Sequence, residues 1–174
     1  MQSSSDLVKL EKDMDLSFSG GMSGINQRPP LNVLEADIHK EAHLSHIAEC
    51  CRQFHAMSPW ADTEYDHSKV MGIVVDLIAS PYGVALIHES GFILGKVEQL
   101  VFGRTKVLYE IAWWAQDQGT ALLKAFEKKA EELGVSGIVM ASLFYADQNN
   151  ERYNKLFTKA GYVPRETFWY KESK

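Results

Sequence analysis

From Asn32 onward the apolar positions recur with a period that changes several times, and each change marks an element. Val33 to Ala36 reads as a short strand. Leu44, Ile47, Cys51 and Phe54 then recur at helical spacing, and beyond Pro59-Trp60 a second helix is predicted. Asp66 or Ser68 would cap it, with Val70, Met71, Val74, Leu77 and Ile78 inward, and Ser80-Pro81-Tyr82-Gly83 ends it. Three strand-like runs follow, Val84 to His88, Phe92 to Phe102 and Lys106 to Trp114, joined by turns short enough for antiparallel hairpins. Gly119 to Leu133 places Leu122, Leu123, Phe126 and Ala130 on one helical face, charge on the other, and Gly134 at the stop. Val135 to Leu143 reads as a strand, Asn149 to Ala160 as a helix stopped by Gly161, and Tyr162 to Lys171 as a strand broken at Pro164. The predicted order is β-α-α-β-β-β-α-β-α-β, a mixed α/β (α+β) sheet flanked by helices.

Ahead of this order, residues 1–31 are rich in Ser, Gly and charge and run through Pro29-Pro30, so an extended or flexible arm is expected before a domain over 32–174. A chain of 174 residues has enough surface to bury for a core that needs neither disulfide nor metal. Its net charge of −5 comes with no stretch basic enough to neutralise a row of phosphates, so nucleic acid is not an expected partner. Cys50 and Cys51 are adjacent and read as free thiols of a reducing compartment, which fits the cytoplasm. The longest apolar stretch, Ile73 to Ala79, is broken by Asp76 and too short to span a bilayer, and no export signal is visible, so no membrane association is expected.

Two motifs carry a resemblance. Gln116-Asp117-Gln118-Gly119-Thr120-Ala121 matches the pattern Gln/Arg-x-x-Gly-x-Gly/Ala at the start of a helix, after the fourth strand. Asn150-x-x-Tyr153-x-x-Leu156-Phe157-x-Lys159-x-Gly161-Tyr162 is similar to Asn-x-x-Ala-x-x-Leu-Tyr-x-Lys-x-Gly-Phe. With the element order, these resemble the GCN5-related N-acetyltransferase (GNAT) family over about residues 32 to 172. Ile111-Ala112-Trp113-Trp114 and Gly161 to Glu166 resemble most the small acetyltransferase-like proteins of tailed phages.

The resemblance implies an acyl-CoA N-acyltransferase fold and acetyl transfer from acetyl-CoA to an amine. Coenzyme A would lie against the start of the helix, where free N–H groups and the positive dipole end meet a pyrophosphate: Gln116, Gln118, Gly119, Thr120, Ala121 and Leu122. Ala112, Trp113, Trp114 and Ala115 would line the pantetheine arm, and Asn150 of the second motif joins the cofactor contacts. Glu110 lies where some family members carry a catalytic glutamate and would be the base, with a strand N–H near Ala112 or Trp113 holding the oxyanion. Alternation along the strand alone also fits an outward, solvated Glu110, and it sets Trp113 and Trp114 on opposite faces.

The sequence departs from the family in three ways. Only Ala115 to Gln118 separate Trp114 from Gly119, a shortened cofactor loop. Asp117 brings a carboxylate towards the expected pyrophosphate. Phe157 stands where the family has its acid tyrosine, leaving Tyr153, one turn away, as the candidate acid. These departures support an alternative: a non-catalytic module, for example a virion component anchored to neighbouring subunits by residues 1–31, located in the virion or host cytoplasm. His39, His43 and His46 have helical spacing, but Lys40 stands where a zinc-protease helix needs glutamate, so they read as exposed helix residues and no metal is expected.

Overall fold

Among the described residues the chain forms five strands and four helices. The computed structural model describes residues 32–101, 103–141 and 151–165, and of 151–153 only the backbone. The residues form two compact units, 1–143 and 144–174. In the first unit β1 (Leu34–Glu35), α1 (Glu41–Met57), α2 (His67–Ala79), β2 (Gly83–His88), β3 (Gly91–Gln99), β4 (Lys106–Ala115), α3 (Gly119–Glu132) and β5 (Ile138–Val139) follow in chain order. The strands lie in the order β1-β2-β3-β4-β5, antiparallel up to β4, with β5 parallel to β4.

Helices cover both faces of the sheet. Ile47, Cys50 and Cys51 of α1 and Val74 and Leu77 of α2 bury against Ala85, Ile87, Phe92 and Leu94. On the other face Leu122, Phe126 and Ala130 of α3 pack on Val84, Leu86, Ile93 and Leu108. Asp66 caps α2 as expected, its carboxylate accepting the Lys69 N–H at 2.9 Å. Gly134, with φ of 63°, supplies the left-handed residue that closes α3.

Some boundaries move from those expected. β3 ends at Gln99 instead of Phe102, because the Leu100 N–H donates to the Thr105 carbonyl and closes a wider turn. β5 shrinks to two residues, since Val135 still donates to Ala130 of α3 and Ser136 to Lys106. In the second unit α4 (Glu151–Lys159) ends at Gly161, with φ of 89°, whose N–H donates to Thr158. Residues 162–165 carry no regular element. Residues 166–171 of the last expected strand, Asn150 and the arm over 1–31 lie outside the described residues. Among the described residues no helix is long and apolar enough to cross a membrane.

Candidate active site at the fork between β4 and β5

β4 changes its hydrogen-bonding habit half-way along. Its first half pairs with β5 through Leu108 with Ile138 and Tyr109 with Val139. Beyond Tyr109 its only strand partner among the described residues is β3. The register with β3 also slips there: Gly95 pairs with Glu110 while Leu94 pairs with Ala112, leaving Ile111 as the extra residue of a β-bulge. The slip changes the parity of the strand. Leu108 and Glu110 share the α3 face with Trp113 and Ala115, whereas Ala112 and Trp114 pack on the α1 and α2 side.

Glu110 sits at the point where the strands part. It is 5% exposed, which overturns the solvated reading that strand alternation allows. Its cross-strand neighbour Gly95 leaves room for the Phe126 ring, since a Cβ on Gly95 would meet Phe126 Cζ at 2.5 Å. α3 therefore closes directly over the Gly95–Glu110 pair. The Ala141 N–H, just past β5, donates to Glu110 Oε2 at 3.0 Å. Burial pushes the carboxyl up to about 7, and the Ala141 hydrogen bond pulls it only partly back. A carboxyl balanced near neutrality can take a proton and return it.

The start of α3 follows the C-terminal end of β4. Gln118 is its N-cap in the left-handed region, φ 48° and ψ 31°, and gives no side-chain cap. The first turn carries no acidic residue. Gly119 lies against the Trp113 indole, and a Cβ there would come within 3.3 Å of Trp113 Cζ2. Asp117 does not stand at the helix axis unrestrained: Ser90 Oγ, at the β2–β3 turn, donates to its Oδ1 at 2.8 Å. The Gln116 N–H donates to the Ser90 carbonyl at 2.8 Å. Ser90 N–H in turn donates to Nδ1 of buried His88. Burial pulls His88 below its ordinary value, and its own carbonyl, that of Gln118 and the Asp117 charge oppose this.

The predicted residues thus divide. Glu110, Trp113, Ala115, Gly119 and Thr120 share one side of the sheet around the fork and the helix start, with Gln116, Gln118 and Ala121 on the adjoining turn. The Leu122 side chain is fully buried in the core and Trp114 packs on the opposite face, so each can offer only backbone atoms. Tyr153 is on α4 with its side chain outside the described residues, as is Asn150. His43 Nδ1 accepts the Asp37 N–H, and His46 Nε2 lies 3.4 Å from the Gly91 carbonyl, so the spaced histidines serve local structure. Sequence reading missed Ser90, His88 and Ala141, because contacts across the sheet leave no mark on spacing.

Solved structures share this fold. An aminoglycoside acetyltransferase from an uncultured soil metagenomic sample superposes with a TM-score of 0.58 at 15% identity, over 83% of this chain and 98% of that one. A possible acetyltransferase from Clostridium difficile 630 gives 0.61 at 11% identity, over 84% and 99%. AAC(6')-Iy, in complex with the bisubstrate analogue CoA-S-monomethyl-acetylneamine, gives 0.56 at 13% identity, over 83% and 98%. The chain has the GNAT acetyltransferase fold. No family model and no curated protein matches the sequence, so the likeness lies in the GNAT fold alone.

Proposed function

We propose that this protein is an acetyl-CoA-dependent N-acetyltransferase acting on an amine, with Glu110 as general base. The observation that carries the reading is the buried Glu110 carboxyl, held near neutrality where β4 leaves β5. The C-terminal half of β4, which among the described residues pairs only with β3, and the acid-free start of α3 fit the amide-rich arm and the pyrophosphate of coenzyme A. One protein of the same fold binds a coenzyme A bisubstrate analogue, which supports the same ligand class here.

Acetyl-CoA supplies an acetyl group on a thioester, whose C–S bond breaks as the C–N bond to the amine forms and the thiol departs. Glu110 takes the proton from the substrate ammonium, directly or through a water, to free the lone pair. Ala141 N–H keeps one carboxylate oxygen fixed during this exchange. N–H groups of Gly119 and Thr120 hold the pyrophosphate, and backbone groups of Ala112 to Ala115 orient the pantetheine. The departing sulfur takes up a proton from solvent. The test is acetyl-CoA-dependent release of free thiol across a panel of primary amines. Glu110→Gln is expected to lower the rate by roughly 10²- to 10⁴-fold.

A second reading, the non-catalytic module, has one observation in its favour: the link between β4 and α3 is three residues long and is fastened to the β2–β3 turn. Deletion of residues 1–30 separates the two. It leaves coenzyme A binding intact in the enzyme reading and abolishes partner assembly in the module reading.

A further inference from the structure

β4 and β5 stop pairing at a residue whose side chain has taken over a main-chain hydrogen bond. Leu108 pairs with Ile138 and Tyr109 with Val139, and the Leu108 N–H donates to the Gly137 carbonyl at 2.9 Å. In a parallel ladder every second residue bonds the two neighbours of its partner. Two residues beyond Leu108, the main-chain carbonyl of Glu110 is therefore the acceptor due to the Ala141 N–H. Ala141 donates instead to Oε2 of the same glutamate, at 3.0 Å.

Side chains stand out of the plane of a sheet, and that of Glu110 lies on the α3 face, beside the Phe126 ring that fills the space over Gly95. An N–H that follows the carboxyl has left the plane of the ladder. Glu110 is buried, and a buried carboxyl deprived of its donor is costly, so the exchange of acceptors favours the side chain. The bulge at Ile111 bends β4 at the same place. The register it shifts is that with β3, which leaves the choice of acceptor on the β5 side unexplained.

We propose that the Glu110 carboxyl is the stop of the β4–β5 ladder: it replaces the main-chain carbonyl of its own residue as acceptor of the Ala141 N–H and so ends the pairing of the two strands after Tyr109. The functional half of the proposal rests on the acetyl-CoA reading above. There Glu110 is a positioning residue as well as the base, because it keeps β5 from pairing along the half of β4 assigned to the pantetheine arm. The two roles separate by chemistry: the base needs a titrating carboxyl, the stop needs only a side-chain oxygen.

The test is nuclear magnetic resonance of the full, isotope-labelled chain, reading scalar couplings across hydrogen bonds, which identify the carbonyl carbon that accepts each N–H. The Ala141 nitrogen should couple to the side-chain Cδ of Glu110 in the wild type and to that of the amide in Glu110→Gln. In Glu110→Leu, which fills the space with no acceptor, the coupling should move to the main-chain carbonyl of residue 110. A coupling to that carbonyl already in the wild type, or to no β4 carbonyl in Glu110→Leu, would overturn the proposal, the second outcome by leaving the bulge alone to part the strands. A measurement on the wild type needs no variant to fold: the Ala141 amide proton should shift with pH through a midpoint near 7 as the carboxyl titrates, and a flat curve would overturn the proposal. Calorimetric titration with coenzyme A reads the positioning role. Glu110→Gln should bind like the wild type, and Glu110→Leu on the order of tenfold more weakly, the cost of first undoing one main-chain hydrogen bond; equal binding by both would overturn that role. Absence of binding by the wild type would overturn the acetyl-CoA reading, while the couplings still decide the ladder stop.

Discussion

The Ala141 N–H donates to Glu110 Oε2 just past the last pair that β4 makes with β5, so one oxygen of the buried carboxyl is fixed. Because the folded carboxyl titrates near 7 and an unperturbed one near 4.5, folding favours its protonated form. Stability from this group is therefore fully present below about pH 4.5 and is lost as pH rises through about 7, a difference of about 3 kcal/mol. Glu110→Gln keeps a hydrogen-bond acceptor for Ala141 without the charge. Urea midpoints measured from pH 4.5 to 8.5 should fall with pH more steeply in the wild type than in Glu110→Gln; parallel curves would contradict the assignment.

In the proposed acetyl transfer the same group would set the pH profile of turnover. With Glu110 as base, kcat/KM should rise with pH and level off above an inflection near 7, the unprotonated form being the active one. An activity that fell through that range would require Glu110 to act as an acid.

Gly95 is where the core meets the site. A Cβ there would stand 2.5 Å from Phe126 Cζ and 2.8 Å from the Tyr109 carbonyl, so neither a ring shift nor a small backbone adjustment alone relieves it. Gly95→Ala should cost about 1–3 kcal/mol in denaturant unfolding. Since Phe126 lies over the Gly95–Glu110 pair, it should also lower the kcat/KM inflection by letting water reach the carboxyl. An unchanged inflection would show that Phe126 does not control the solvation of Glu110.

Cys50 and Cys51 are buried between α1 and the sheet, and burial, with Glu49 acting on Cys50 and Cys50 on Cys51, pushes their thiols up to about 11 and about 12. Both stay protonated at neutral pH and are poor nucleophiles. A thiol reagent at pH 8 should label neither in the folded protein and both after denaturation. Rapid labelling of the native chain would contradict the burial.

Much of the architecture was legible because it follows from local periodicity: the two helices before the sheet, the three-strand meander and the stripe of Leu122, Phe126 and Ala130 all write their buried face into the sequence. The site was legible only in outline. Glu110 stood out from its place in a resemblance, yet its burial depends on a glycine in the neighbouring strand and a phenylalanine in a later helix. The bulge at Ile111 has no composition signature, although it decides that Trp113 and not Trp114 faces α3. The contact of Ser90 with Asp117 spans 27 positions of sequence and leaves no mark on local spacing.

The central claim is that the start of α3 and the C-terminal half of β4 hold coenzyme A. Calorimetric titration of the full chain with acetyl-CoA and with coenzyme A tests it most directly, with Gly119→Glu as the control that places a carboxylate at the helix start. Micromolar binding, about −8 kcal/mol, lost in the folded Gly119→Glu variant, is the predicted result. No heat up to millimolar ligand, together with no shift in melting temperature, would contradict it.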